Sequence, residues 1–135
     1  MNQETISLVQ DTWKDVAKIA PQAAELFYQN LFMVDPSLQI HFKGNMEDQG
    51  KKLMQMIGAA VGQLNNLEGL VPTLQNLAKR HVGYGVEDEH YQTVGAALLK
   101  TLGQGLGAKF TPEVKDAWTS VYGVMSSVMI DASKA

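Results

Sequence analysis

The stretch Leu74-Gln75-Asn76-Leu77-Ala78-Lys79-Arg80-His81, followed by Val82-Gly83-Tyr84-Gly85, decides how this chain is read. Leu74, Leu77 and His81 share one stripe of an α-helix, and Gly83 and Gly85 then break it. An imidazole in the last turn, aimed at a core, needs a partner for whichever ring nitrogen faces inward. A metal is one such partner.

Working outward, a second wall lies about thirty residues upstream, a separation that helical rise makes easy to span. There Gln49 shares a face with Leu53, Met56 and Ile57; Phe42 lies in the loop before it and Tyr28 in the helix before that. One histidine of ligand grade, one amide, one phenol and one loop phenylalanine in a helical chain point to a haem pocket.

The rest of the chain reads as helices. Ile6, Val9, Trp13 and Val16 form the stripe of a first, and Pro21 fits the first turn of a second, where its missing N–H costs nothing. Asp35-Pro36 repeats that signal for a short third helix with Asp35 as N-cap. A loop through Gly44 and Asn45 leads to the helix of Gln49, Leu53, Met56, Ile57, Ala60 and Leu64. Pro72 is expected to start the helix that ends at His81. Glu87, Asp88 and Glu89 then place negative charge at the positive end of the next, whose apolar face includes Tyr91, Val94, Leu98 and Leu102. Thr111-Pro112 caps and begins the last, where Val114, Ala117, Trp118, Val121, Tyr122, Met125, Val128 and Met129 keep helical spacing throughout. Gly103-Gln104-Gly105-Leu106-Gly107 resembles a phosphate loop, but no strand precedes it, so it reads as a frayed helix end and a turn. Methionines such as Met56, Met125 and Met129 fit helical core positions. Periodicity by itself supports an all-α domain and nothing finer.

Composition closes several function classes. At 135 residues the chain is one domain, 1–135, able to bury a real core. A net charge of −3 with no Lys/Arg run gives no nucleic-acid surface. The absence of cysteine removes disulfides and thiolate ligands. Met1-Asn2-Gln3-Glu4-Thr5 is polar, without the basic-then-apolar order of a signal peptide, and no apolar run approaches the roughly 20 residues of a membrane span. A soluble cytoplasmic protein, with neither nucleic acid nor membrane as partner, is the expectation.

An ordered set of residues carries a resemblance over the whole chain. Phe27-Tyr28-Gln29-Asn30-Leu31-Phe32, Asp35-Pro36, Phe42, Gln49 with Leu53, Arg80-His81, Tyr84-Gly85-Val86, His90-Tyr91, Ala117-Trp118 and Tyr122-Gly123 resemble the single-domain bacterial globins, relatives of the globin half of flavohaemoglobins. The resemblance implies a globin fold of about seven or eight helices around haem b. It makes His81 the proximal iron ligand, its other ring nitrogen donating to a carbonyl near Leu77. A lone core histidine is more often simply hydrogen-bonded; the ordered set is what tips the reading.

The resemblance also places Tyr28 and Gln49 above the iron. Both donate hydrogen bonds, and donors there favour dioxygen, whose oxygens gain electron density, over carbon monoxide. Read without it, Tyr28 is a core aromatic and Gln49 a solvent-facing amide. Phe42, Leu53, Leu31 and Phe32 would pack against the macrocycle, with Leu77, Val86 and Val94 also in its pocket. Flavohaemoglobins carry a tyrosine ten positions after the proximal histidine, matched by Tyr91, and a glutamate where this chain has Ser133, with Asp131 nearby. Without that carboxylate, strong activation of peroxide is in doubt, and Tyr91 is equally read as a core aromatic. Lys52 and His41 suit a haem propionate or solvent, and His90, in an acidic helix start, is expected to be exposed.

The function implied is reversible binding of dioxygen, NO and CO for oxygen storage, delivery or transport. The alternative is a nitric oxide dioxygenase, which would require an external reductase because the sequence stops where a reductase would begin. A gas sensor ranks lower, with no output domain in view, and a haem-free helical module is the plainest reading.

Overall fold

The computed structural model describes residues 2–41, 45–83 and 88–133, without the side chains of Ile40, His41, Leu67, His81, Val82, Asp88 and Ser133. The described residues form α1 (Gln3–Ala17), α2 (Ala20–Val34), a 3₁₀ segment (Pro36–His41), α3 (Met46–Gly62), α4 (Leu67–Gly83), α5 (Asp88–Leu106), a second 3₁₀ segment (Gly107–Lys109) and α6 (Pro112–Ser133). Counted together, six α-helices and two 3₁₀ segments meet the expected all-α architecture, and no strand occurs among the described residues.

Caps set most helix starts. The Asn2 side chain accepts from the Thr5 amide at 2.8 Å, Asn45 from Glu47 at 2.8 Å, and Thr111 Oγ1 from Val114 at 3.3 Å. Asp35 accepts from the Ser37 amide at 3.1 Å and so opens the first 3₁₀ segment, while Pro21 stands in the first turn of α2. The start of α4 corrects an expectation: Pro72 lies inside the helix. Asn66 caps it earlier, accepting from the Gly69 amide at 3.2 Å, and the added turn buries Leu70 to 1% exposure. Those gains outweigh the one helical hydrogen bond that proline forgoes. The glycine-rich stretch is also more helical than expected. Gly103 and Gly105 belong to α5, and the turn comes at Gly107, whose φ of +57° suits glycine.

Helix α6 packs against α4 and α1, and α2 crosses α5 and rests on α3. Side-chain hydrogen bonds stitch these contacts. Trp118 Nε1 donates to Thr12 Oγ1 at 2.9 Å, whose hydroxyl donates to the Leu8 carbonyl at 2.7 Å. Asn30 Nδ2 donates to Thr101 Oγ1 at 3.0 Å and to Gln104 Oε1 at 2.9 Å. No buried side-chain nitrogen or oxygen among the described residues lacks a partner. The α2–α3 approach depends on Gly50, where a Cβ would lie 2.9 Å from Ala24 Cβ and 3.9 Å from the Tyr28 ring.

Candidate haem site

The core does not close between α3, α4 and α5. A cavity of about 1130 Å³, counting open space at its mouth, lies there and reaches α2 and α6. Its walls follow from helix registers. On α3, Leu53, Met56, Ile57 and Ala60 line it; on α4, Leu74 and Leu77; on α5, His90, Tyr91, Val94 and Leu98. From α2 come Phe27 and Leu31, from the first 3₁₀ segment Leu38, and from α6 a strip from Trp118 to Met129. The walls are aliphatic or aromatic apart from His90, Ser126 and the two tyrosine hydroxyls.

Of the residues singled out in the sequence, Leu53, Leu77, Tyr91 and Val94 are brought together on these walls. Helix α4 runs through His81, though the side chain of His81 lies outside the described residues, as do Phe42 and Val86 entirely. Tyr28 and Gln49 are not among its lining residues. The Tyr28 ring is buried, edge-on to Phe27 at 5.4 Å and stacked on Phe32 at 6.1 Å. Burial pushes its pKa up to about 12, so the hydroxyl keeps its proton at any physiological pH. Gln49 is half-buried on α3, one residue before the Gly50 position that approaches Ala24 and the Tyr28 ring. Lys52 is exposed.

His90 departs from expectation. It is half-buried and lines the cavity, because the α5 register that brings Val94 and Leu98 inward also brings in the residue one turn earlier. His90 is therefore directed at the core, contrary to the exposed position expected for it.

Sequence reasoning also missed the polar corner where α5 meets α6. Tyr122 donates its hydroxyl to the Tyr91 carbonyl at 2.6 Å, and burial, with Tyr91 close by, raises its pKa well above the usual phenol value. Its ring lies over Gly95, where a Cβ would come within 2.7 Å of it. Tyr122 thus holds the first turn of α5, and with it Tyr91, against α6. Ser126 completes the corner, its hydroxyl donating to the Gly123 carbonyl at 3.2 Å.

Among the described residues no cluster of three or more His, Cys, Asp or Glu could hold a bare metal ion. A large apolar space beside a histidine-bearing helix suits instead a flat macrocycle whose metal needs one imidazole from the protein. The family model described as Globin matches residues 11–129. This chain belongs to the globin family. Globins pack their helices around a haem pocket, so membership implies haem binding, and the apolar lining of the cavity suits that group.

Relatives agree. The chain is 30% identical to a flavohemoprotein of Vibrio cholerae over 138 aligned residues, covering all of this chain and 35% of that protein. It is 27% identical to a flavohemoprotein of Rhodopirellula baltica, covering 96% of this chain and 33% of that one. The globin thus spans about a third of the length of these relatives. A solved bacterial globin from Campylobacter jejuni superposes with a TM-score of 0.86 at 30% identity, over 98% of this chain and 96% of that one. No helix among the described residues is long and apolar enough to cross a membrane.

Proposed function

We propose that this globin holds haem b in the α3–α4–α5 cavity and reversibly binds dioxygen, CO and NO. The observation that carries the reading is the cavity itself, walled by Leu74 and Leu77 of the helix that continues to His81. When bound, haem would supply a ferrous iron able to take up a diatomic gas. His81 would ligate it through one ring nitrogen, with the other N–H directed to a carbonyl near Leu77. Leu53, Leu77 and Val94, with Phe42 and Val86, would cover the macrocycle with apolar surface and exclude water. Tyr91 would lie on the imidazole side, and Lys52 at the mouth would meet a propionate or solvent.

Tyr28 and Gln49 would donate hydrogen bonds to a dioxygen ligand. Neither loses that capacity near neutral pH, since the amide does not ionise and burial keeps the phenol protonated. Each bond of this charge-assisted kind contributes roughly 1.5–3 kcal/mol.

The test is the visible spectrum of purified protein with stoichiometric haem, compared with His81→Ala. A Soret band and a CO adduct are expected in the first. The variant should lose stable haem or require added imidazole. A normal ferrous spectrum in the variant without imidazole would overturn the His81 assignment, and failure to take up haem would overturn the whole reading. Acid should loosen the haem as well. Protonating His81 removes the lone pair, so retention should fall below the free imidazole value of about 6.5, delayed by the bound metal.

The similarity to flavohemoproteins favours a second use, as a nitric oxide dioxygenase served by an external reductase. Sustained NO consumption with a reductase system would establish it. Turnover that stops after one equivalent would leave oxygen handling as the role.

A further inference from the structure

Side chains stitch most helix contacts in this molecule. Trp118 and Thr12 join α6 to α1, Asn30 with Thr101 and Gln104 joins α2 to α5, and Tyr122 joins α6 to α5. Gln10 Nε2 joins α1 to the last turn of α3, donating to the Val61 carbonyl at 3.0 Å. Helix α4 is held differently. It packs on α6 and on no other helix to a comparable extent, since Leu74 and Leu77 front the cavity instead. Among the described residues, no side-chain hydrogen bond or ion pair ties Gln75, Asn76, Lys79 or Arg80 to another helix. Apolar packing by Leu70, Leu74 and Ala78 fixes it. Pro72 divides this helix. Having no N–H, it leaves the Glu68 carbonyl without its helical donor, and its ring crowds that carbonyl. Ahead of the break, Asn66 caps the first turn through the Gly69 amide at 3.2 Å and Leu70 anchors it. Beyond it, Thr73 to Arg80 carry Leu74 and Leu77 on the cavity wall and lead to His81. Glu68, Pro72 and Thr73 are exposed, so the break lies on the outer face of α4.

We propose that Pro72 is a hinge, and that α4 beyond it is the door through which haem enters and leaves the cavity. The proposal rests on the haem reading above. Kinks in helices concentrate at prolines, and the least-tethered elements of a fold are the ones that open locally. Both conditions meet in α4. Opening draws Leu74 and Ala78 off α6, while Leu77, already half-buried beside open space, gives up little. No hydrogen bond between the side chains of α4 and another helix has to break along Gln75, Asn76, Lys79 and Arg80. Thr73 to Arg80 span about 12 Å of helix axis, enough to uncover the edge of a flat macrocycle. The turn capped by Asn66 stays in place, so the segment returns to the same register when it closes. A door of this kind sets how fast the group is exchanged and not how tightly it is held, because entry and exit draw on the same open population.

The first measurement is hydrogen exchange by mass spectrometry on haem-free protein. Peptides from α4 beyond Pro72 should exchange roughly tenfold or more faster than those from α6. Pro72→Ala returns an N–H to the Glu68 carbonyl and should slow exchange in that segment. The second measurement mixes protein with haemin, follows the Soret band, and then follows haem loss to an excess of a scavenging apoprotein. Pro72→Ala should slow uptake and loss together, by roughly 2- to 12-fold, the equivalent of one helical hydrogen bond, with affinity unchanged. Pro72→Gly supplies the same N–H but keeps a flexible joint, so its rates should stay nearer wild type. Exchange in α4 no faster than in α6 would overturn the hinge, and so would a change in affinity without a paired change in the two rates. A Soret band with rates identical in wild type and Pro72→Ala would do the same, since haem would then pass by the open mouth. Absence of a Soret band in wild type would overturn the haem reading and the door with it, whatever the exchange pattern.

Discussion

Two regions of this molecule are built from the same kinds of side chain and end differently. Around α5 and the loop after α3, Leu102 and Leu64 are 1% exposed, and the neighbouring contact with α2 is cross-linked by Asn30, Thr101 and Gln104. Between α3, α4 and α5, Leu53, Leu77 and Val94 are only half-buried around open space, and Met56 is 36% exposed. Apolar content does not distinguish them. A region that closes stabilises the fold by itself, while one that stays open gives up contacts that a bound group can restore.

Truncation should expose that difference most strongly. Leu102→Ala is expected to cost about 2–5 kcal/mol in chemical denaturation of haem-free protein, because the closed region leaves a cavity behind. Leu53→Ala in the same assay should cost much less, since its side chain already borders empty space. Equal losses would break the comparison.

Tyr28→Phe keeps the ring's volume and packing and should speed dioxygen release roughly 10- to 150-fold, the kinetic equivalent of one lost charge-assisted hydrogen bond. CO release should change far less, and Gln49→Leu should act in the same direction. Stopped-flow rates decide this. Equal acceleration for both gases would mean that Tyr28 controls space and not hydrogen bonding.

Asn30→Ala removes a donor from buried Thr101, which still donates to the Ala97 carbonyl, and from Gln104, which is exposed to water. It should cost about 0.5–1.5 kcal/mol by thermal or urea unfolding with gas binding untouched. Val94→Phe sharpens the contrast from the other side. In a close-packed core the added ring would be destabilising, but beside the cavity the haem-free protein should stay within about 1.5 kcal/mol of wild type. Haem uptake, titrated by absorbance, should weaken.

The smallest effect concerns the surface pair that ties α1 to the turn before α6. The Lys109 ammonium, 3.1 Å away, holds the Asp15 carboxyl below its ordinary value of 3.8. A depressed carboxyl pKa adds stability above the unfolded value and loses it as pH falls through the folded one. Asp15→Asn should therefore flatten the stability profile slightly below about pH 4 and leave neutral stability almost unchanged, as exposed pairs contribute little.

The sequence was most legible where a stripe is complete. Ile6, Val9, Trp13 and Val16 are all buried, as are Val114, Ala117, Trp118 and Val121 on α6, because an unbroken helical period leaves no alternative face. The start of α4 was misread because a proline in the first turn is a common signal, whereas a cap at Asn66 and the burial of Leu70 act together without announcing themselves. His90 was obscured by its acidic neighbours, although its spacing from Val94 and Leu98 already carried the inward register. Phe27 and Tyr28 could not be ranked by pattern, since Phe27-Tyr28-Gln29-Asn30-Leu31-Phe32 offers apolar groups on several sides of α2. The fold gives Phe27 to the cavity and Tyr28 to the seam under Gly50. Polar cross-links such as Trp118 to Thr12, 106 residues apart, have no local signature at all.

Gly50 gives the seam an unusual kind of vulnerability. A position with no side chain acts as a spacer gauge, and the 2.9 Å that an added methyl would leave to Ala24 can be relieved only by sliding one helix along or off the other. A random screen for altered gas affinity should therefore return position 50 alongside the chemical residues. Its phenotype would mimic loss of Tyr28 and Gln49 together while both remain in place. A survey of natural or evolved variants that scored only groups able to donate, accept or ligate would overlook the residue on which their spacing depends.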